Sequence, residues 1–263
     1  MSGRFTNSTV TINGIDLETA FQNGNSPDAP VIVFLHEGLG CVSLWRDFPA
    51  RLAAATGCAA LVYSRYGYGR SAVCQRGFDP DYMHREALET LPALLDHFSV
   101  SNPIFYGHSD GASIALIHAG GAERVLRGVI VEAPHVFVEP ESISGLDMAR
   151  EAFDTGALKE GLARHHSDAE RTFRAWNDVW RGPAFENWNI EAYLSAITVP
   201  VLMIQGAEDA YGTLAQLDAI AAGVAGPCDR LVLTGCGHSP HREMADRVLE
   251  RVADCVTSLS SAL

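Results

Sequence analysis

Positive charge is scarce in this chain of 263 residues: Lys and Arg number 19 against 32 Asp and Glu, a formal net charge of −13. Such a field repels phosphate backbones and anionic lipid, so neither nucleic acid nor a membrane surface is expected as a partner. Long hydrophobic runs are missing too. Stretches such as Val31–Leu35 fall far short of the roughly 20 residues that span a bilayer. Met1 to Asn7 lacks the apolar stretch of a secretory signal, and a cytoplasmic protein is expected. Cysteine is sparse and scattered. Cys41, Cys58, Cys74, Cys228, Cys236 and Cys255 form no C-x-x-C pair, so no disulfide framework and no metal site is expected. What remains is 47% hydrophobic and 19% charged, too apolar for disorder and long enough for a substantial core.

Two rhythms organise that core. Val10, Ile12, Ile15 and Leu17 alternate around Asn13–Gly14, which predicts an antiparallel hairpin at the start. Beyond it, Val31–Leu35, Ala59–Tyr63, Ile104–Tyr106, Val129–Val131, Val201–Ile204 and Arg230–Leu233 are short runs of strand length, mostly apolar throughout, as buried parallel strands are. Helical stripes lie between and after them. Met83, Ala87, Leu91, Leu94, Leu95 and Phe98 share one face, with Pro92 expected to kink or shorten that helix; Met244, Val248, Val252, Cys255 and Leu259 share another. The alternation predicts an α/β fold, a doubly wound and mostly parallel sheet. From Val138 to Ile197 no strand run occurs, and three of the four tryptophans fall there. The expected organisation is therefore a core of residues 1–137 and 198–263 with a helical cap, 138–197, inserted before the last two core strands.

Gly107-His108-Ser109-Asp110-Gly111 satisfies G-x-S-x-G, follows the strand Ile104–Tyr106 and precedes a helical segment from Ala112 to Ala119. A nucleophile on so tight a turn needs small neighbours, and the helix N-terminus beside it favours developing negative charge. A serine hydroxyl needs a base, and the base needs a carboxylate to hold its tautomer. Asp209 and His238 each follow a strand, in the chain order expected; Glu208 and, less well placed, Asp218 are alternatives to Asp209. His108, His135, His165, His166 and His241 compete with His238 but lack its position. The oxyanion donors are expected to be the N–H of Asp110 and one from the loop His36-Glu37-Gly38-Leu39-Gly40, with Gly38 first and Leu39 next. Substrate contacts are expected from the cap at Trp176, Trp180 and Trp188. Arg174, like Arg164 and Arg181, is a possible partner for a substrate carboxylate.

These residues resemble the α/β-hydrolase superfamily over nearly the whole chain. The resemblance implies a nucleophile at Ser109, an acid at Asp209, a base at His238 and an oxyanion loop at His36 to Gly40. Ser64-Arg65-Tyr66-Gly67-Tyr68-Gly69-Arg70-Ser71 looks like the family's D-x-x-G-x-G-x-S turn with Ser64 in place of Asp, and Glu37 replaces the second residue of the usual His-Gly pair, setting a carboxylate at the pocket mouth. Ser109 differs from the Asp of haloalkane dehalogenases and epoxide hydrolases. Ser239 after His238 differs from the Trp common in C–C hydrolases. The resemblance implies a cofactor-free serine hydrolase, most like small cap-bearing carboxylesterases, acting on a small-molecule ester, lactone or thioester. A C–C hydrolase of ring-cleavage products and a silent ligand-binding protein are the alternatives, and the oligomeric state is left open.

Overall fold

The structure, a computed structural model, describes residues 4–261; Met1 to Gly3, part of the N-terminal stretch read above, and residues 262–263 lie outside it. Asn13 and Gly14 both take positive φ (51° and 80°), as a primed turn demands, and join β1 (Thr6–Ile12) to β2 (Ile15–Gln22). Six further strands follow: β3 (Val31–Leu35), β4 (Ala59–Tyr63), β5 (Ile104–His108), β6 (Gly128–Glu132), β7 (Val201–Gly206) and β8 (Cys228–Leu233). Together they form one sheet of order β1-β2-β4-β3-β5-β6-β7-β8. The pairings from β4 across to β8 are parallel, while the hairpin attaches antiparallel through β2. Strands β4 to β7 are buried along their whole length, which is why they read as near-continuous apolar runs.

Helices cover both faces. Phe48–Thr56 and Ala245–Ser261 share one buried cluster with Ile32, Phe34, Val62 and Tyr106. The C-terminal stripe runs through Val248, Val252, Val256 and Leu259, with Met244 and Cys255 at its margin. The opposite face carries the 82–97 segment, Asp110–Gly121 and Ala215–Gly223. Pro92 distorts the first of these without shortening it: Glu86–Thr90 widens into a π-turn before Leu91–His97 resumes. Proline has no N–H to donate, and its ring crowds the carbonyl one turn back.

Between β6 and β7 lie the helices Pro140–Asp154, Ala157–Ala163 and Ala169–Trp180, in the segment expected to form the cap. The short turn Glu191–Leu194, inside the same insert, instead buttresses the helix Asp110–Gly121. Glu139 fixes the start of the cap. Its carboxylate accepts from the Thr213 N–H (2.9 Å) and from Gln216 Nε2 (2.7 Å), and Ser142 Oγ donates to the Tyr211 carbonyl (2.8 Å). Among the described residues no cysteine is in a disulfide and no helix is long and apolar enough to cross a membrane.

Candidate active site

Ser109 sits between β5 and the helix Asp110–Gly121 at φ 53° and ψ −118°, a conformation that costs a non-glycine residue about 1–3 kcal/mol. The surroundings hold it there. Its N–H donates to the Glu132 carbonyl (2.9 Å), and its own carbonyl accepts from the N–H groups of Ala112 and Ser113. A Cβ on Gly111 would lie 1.9 Å from the Leu35 carbonyl oxygen, so only glycine closes this turn against β3.

Loops past the C-terminal ends of β7 and β8 bring the partners in. His238 Nε2 lies 3.0 Å from Ser109 Oγ, and its Nδ1–H donates to the Asp209 carboxylate at 2.8 and 2.9 Å. Asp209 also accepts from Gln205 Nε2 and from the Tyr211 N–H, both at 2.8 Å. Burial pushes the Asp209 carboxyl upward, but the hydrogen-bonded His238 imidazole and then the Tyr211 N–H outweigh it and hold it below the usual range. The His238 backbone is clamped as well. Glu243 accepts from the N–H groups of Gly237 (2.7 Å) and Ser239 (2.9 Å), and His108 Nε2–H donates to the His238 carbonyl (2.7 Å). Glu208, the alternative acid, instead accepts from the Gly235 N–H, and Asp218 is engaged by Arg230.

A single guanidinium ties together the two expected oxyanion donors. Arg65, 2% exposed, donates from Nη2 to the carbonyls of His36 (3.3 Å) and Glu37 (3.0 Å) and to the carboxylate of Asp110 (3.3 Å). Asp110 in turn accepts from the Tyr82 hydroxyl (2.6 Å), which accepts from Trp180 Nε1–H of the cap (3.0 Å). The Ser64 departure is filled from another strand: Ser64 Oγ donates to the Glu18 carboxylate of β2 (2.7 Å).

A cavity of about 260 Å³ opens over Ser109 and His238. Of the expected residues, Glu37, Gly38, Leu39, Asp110, Trp176 and Trp180 line it. Trp176 comes so close that a Cβ on Gly38 would lie 1.9 Å from its indole nitrogen. Two expected residues stand elsewhere. Arg174 is bound on the outer side of the cap by Asp154 and Glu170, because its helix turns that face to solvent acids. Trp188 packs behind the wall, 5.7 Å from Trp180 and stacked on Phe185 at 5.2 Å. The cavity also takes in His135, Ser142, Leu146, Tyr211, Ser239 and Arg242, which sequence reading did not place there. Tyr211 and Ser239 adjoin Asp209 and His238 in the chain, and that adjacency was the available signal. His135 is buried and pushed down to about 3 by burial and then by His238, so it stands neutral.

Behind His238, donor atoms of His108, Glu132 and His241 lie within 4.8 Å of one another, a spacing a metal could use. Most of these donors are already engaged. His108 Nε2–H is bound to the His238 carbonyl, while His108 Nδ1 has no hydrogen-bond partner among the described residues and lies 3.5 Å from the Glu37 carboxylate. Glu132 accepts from the His241 N–H and Nδ1–H and from the Tyr106 hydroxyl. Burial opposes the charge on His108, but Glu37 and Glu132 raise it to about 9. Burial likewise opposes the charge on Glu132, but His241 and then His108 bring it down to about 2. The cluster therefore carries its own cation, a protonated His108, and does not suit a metal ion.

Among curated proteins, none matches this chain. Solved structures are similar in fold. The enol-lactonase from Burkholderia xenovorans LB400 is 21% identical with a TM-score of 0.74, covering 95% of this chain and all of that one. The proline iminopeptidase of Mycobacterium smegmatis is 18% identical with a TM-score of 0.75, covering 98% and 99%. MGS-M2, an alpha/beta hydrolase enzyme from a Medee basin deep-sea metagenome library, is 17% identical with a TM-score of 0.76, covering 97% and 98%. A family model described as the alpha/beta hydrolase family matches residues 32–251, a span that takes in Ser109, Asp209 and His238, and the chain belongs to that family.

Proposed function

We propose that the protein hydrolyses a small carboxylic ester, lactone or thioester through an acyl-enzyme on Ser109. The observation that carries this reading is the unbroken chain from Ser109 Oγ to His238 Nε2 (3.0 Å) and from His238 Nδ1 to Asp209 (2.8 Å), at the floor of the cavity. In this reading His238 takes the hydroxyl proton as Ser109 attacks the carbonyl carbon. The oxyanion forms against the N–H groups of Asp110 and Gly38, with Leu39 the alternative to Gly38. His238 then returns the proton to the leaving oxygen or sulfur, and a water, deprotonated by the same imidazole, releases the acid. No cofactor enters these steps. A volume of about 260 Å³ is below the range of roughly 300–1,000 Å³ usual for larger ligands, and it favours a short acyl group against Trp176, Trp180 and Leu146. The lactone named for the Burkholderia structure falls within the proposed bond types.

Ser109→Ala is expected to lower kcat by at least about 10³-fold while leaving the circular dichroism spectrum unchanged, and to abolish labelling by a fluorophosphonate. Full turnover in that variant would overturn the covalent mechanism. A panel of esters, lactones, thioesters and ring-cleavage products identifies the bond. Turnover confined to the last would replace this reading with C–C cleavage.

A further inference from the structure

The cavity opens beside a rim whose charge is opposite to that of the molecule. Several exposed arginines elsewhere are met by an acid, as Arg181 is by Asp147 and Arg230 is by Asp218, although Arg76 and Arg247 meet none among the described residues. Arg46, Arg70, Arg164 and Arg242 are exposed, and none forms an ion pair among the described residues. Contacts along the seam between cap and core link Arg46 and Arg70 to the Arg164–His165 segment, and Arg242 lines the cavity that this seam borders. Leu39, a cavity wall residue, accepts at its carbonyl from His166 Nε2 (3.0 Å). The neighbouring His165 holds Ser43 Oγ at 2.8 Å, and Ser43 accepts the N–H of Arg46 at its carbonyl. Arg70 Nη2 donates to the Arg164 carbonyl (3.3 Å), and Arg242 lines the cavity beside Ser239.

The His165 imidazole is pushed down first by its burial and then by Arg164, Arg46, Arg70 and Arg242. Arg46 is held at φ 55° and ψ −127°, a strained setting for a side chain that meets no acid. The carboxylates nearby are taken up elsewhere: Glu243, next to Arg242, accepts from the N–H groups of Gly237 and Ser239. Glu18 is engaged by Ser64 Oγ and the Arg70 N–H, and Glu37 faces His108 at 3.5 Å.

We propose that Arg46, Arg70, Arg164 and Arg242 bind a phosphate group on the leaving-group half of the substrate, outside the cavity, while the acyl half reaches Ser109. This rests on the serine-hydrolase reading. His238 must hand its proton to the leaving atom, so that half of the substrate lies on the flank where Ser239 and Arg242 follow His238 in the chain. Trp176, Trp180 and Leu146 supply the apolar part of the lining. Guanidinium forks match phosphate and carboxylate alike, but four cations that form no ion pair suit a dianion better than a single charge.

The test compares kcat/KM for three butyrate esters, those of 4-hydroxybutyl phosphate, 4-hydroxybutyrate and plain butanol. At about 20 mM salt the phosphate ester is expected to lead the neutral one by about tenfold and the carboxylate ester to fall between, with the lead collapsing near 0.5 M salt. In R164Q/R242Q the lead is expected to fall at least about fivefold. Equal values for charged and neutral esters, or a lead that survives the double substitution, would overturn the proposal, and a carboxylate ester ahead of the phosphate would overturn the choice of dianion. If no ester of any kind is cleaved, the hydrolase reading fails by itself. The rim is then judged by calorimetry with 4-hydroxybutyl phosphate: heat of binding that R164Q/R242Q abolishes supports it, and no binding to the unaltered protein overturns it.

Discussion

At the residue scale, Arg65 couples the two halves of the proposed oxyanion hole, since one guanidinium nitrogen is shared by the carbonyls of His36 and Glu37 and the carboxylate of Asp110. Replacing it by Met leaves a buried Asp110 without its cation and frees the loop that carries Gly38. Arg65→Met is expected to lower kcat by about 10²-fold with KM changed less than about threefold, and to destabilise the fold by about 3–5 kcal/mol. Steady-state kinetics read against denaturant unfolding check this, and a rise in KM at constant kcat would assign Arg65 to substrate binding instead. Arg65→Lys should restore little, because an ammonium lacks the planar fork. Residues tied to strand ends were legible in the sequence. Asp209 and His238 follow β7 and β8 directly, so their place needed only the alternation of elements. Arg174 and Arg242 were not legible, because both are arginines in polar surroundings and only packing decides which one meets the cavity.

At the scale of elements, the cap is fastened at its first turn through Glu139, which joins the helix Pro140–Asp154 to the loop that carries Asp209. Glu139→Ala leaves the Thr213 N–H and hydroxyl and one amide N–H of Gln216 without their acceptor. It is expected to cost about 2–3 kcal/mol by thermal or denaturant unfolding and to lower kcat/KM, since the Asp209 loop loses its anchor. An unchanged unfolding midpoint would show that water replaces the carboxylate at no cost. The sequence indicated that this segment is helical and rich in aromatics. Which face of the helix Ala169–Trp180 turns inward, and where the loop after Phe185 folds back, is settled by packing, and this separates Trp176 and Trp180 on the wall from Trp188 behind it. Pro92 is a similar case. Its effect on the helix was foreseeable, but whether the chain breaks or widens into a π-turn is decided by the buried neighbours Ala87, Leu91, Leu94 and Leu95.

Across the whole molecule, charge is divided between an acidic exterior and a paired interior. His108 is raised from its ordinary 6.5 to about 9, so its stabilising charge is fully present below about pH 6.5 and is lost as pH climbs through 9. Glu132 is lowered from 4.5 to about 2, so its contribution is present above about pH 4.5 and is lost as pH falls through 2. His135, lowered to about 3, works the other way below 6.5: it must stay neutral when folded, so stability falls as pH drops from 6.5. Thermal unfolding should therefore peak near pH 6.5 and fall by at least about 4 °C from there to pH 9. Scanning calorimetry across that range checks it. A flat Tm from pH 6.5 to 9 would mean that His108 is neutral in the folded protein, and His108→Asn should remove most of the alkaline decline.

The pattern of apolar runs and turns was enough to determine the layered sheet, the order of its strands' chemistry and the elbow at Ser109. Periodicity and small-residue spacing act locally, and each strand end delivers its next few residues to one edge. Tertiary packing alone decided the rest. The rim of Arg46, Arg70, Arg164 and Arg242 joins positions far apart in the chain, and so do the Arg65 bridge and the His108–Glu132–His241 cluster. A charge's partner is set by distance through space, and nothing in local sequence encodes that distance.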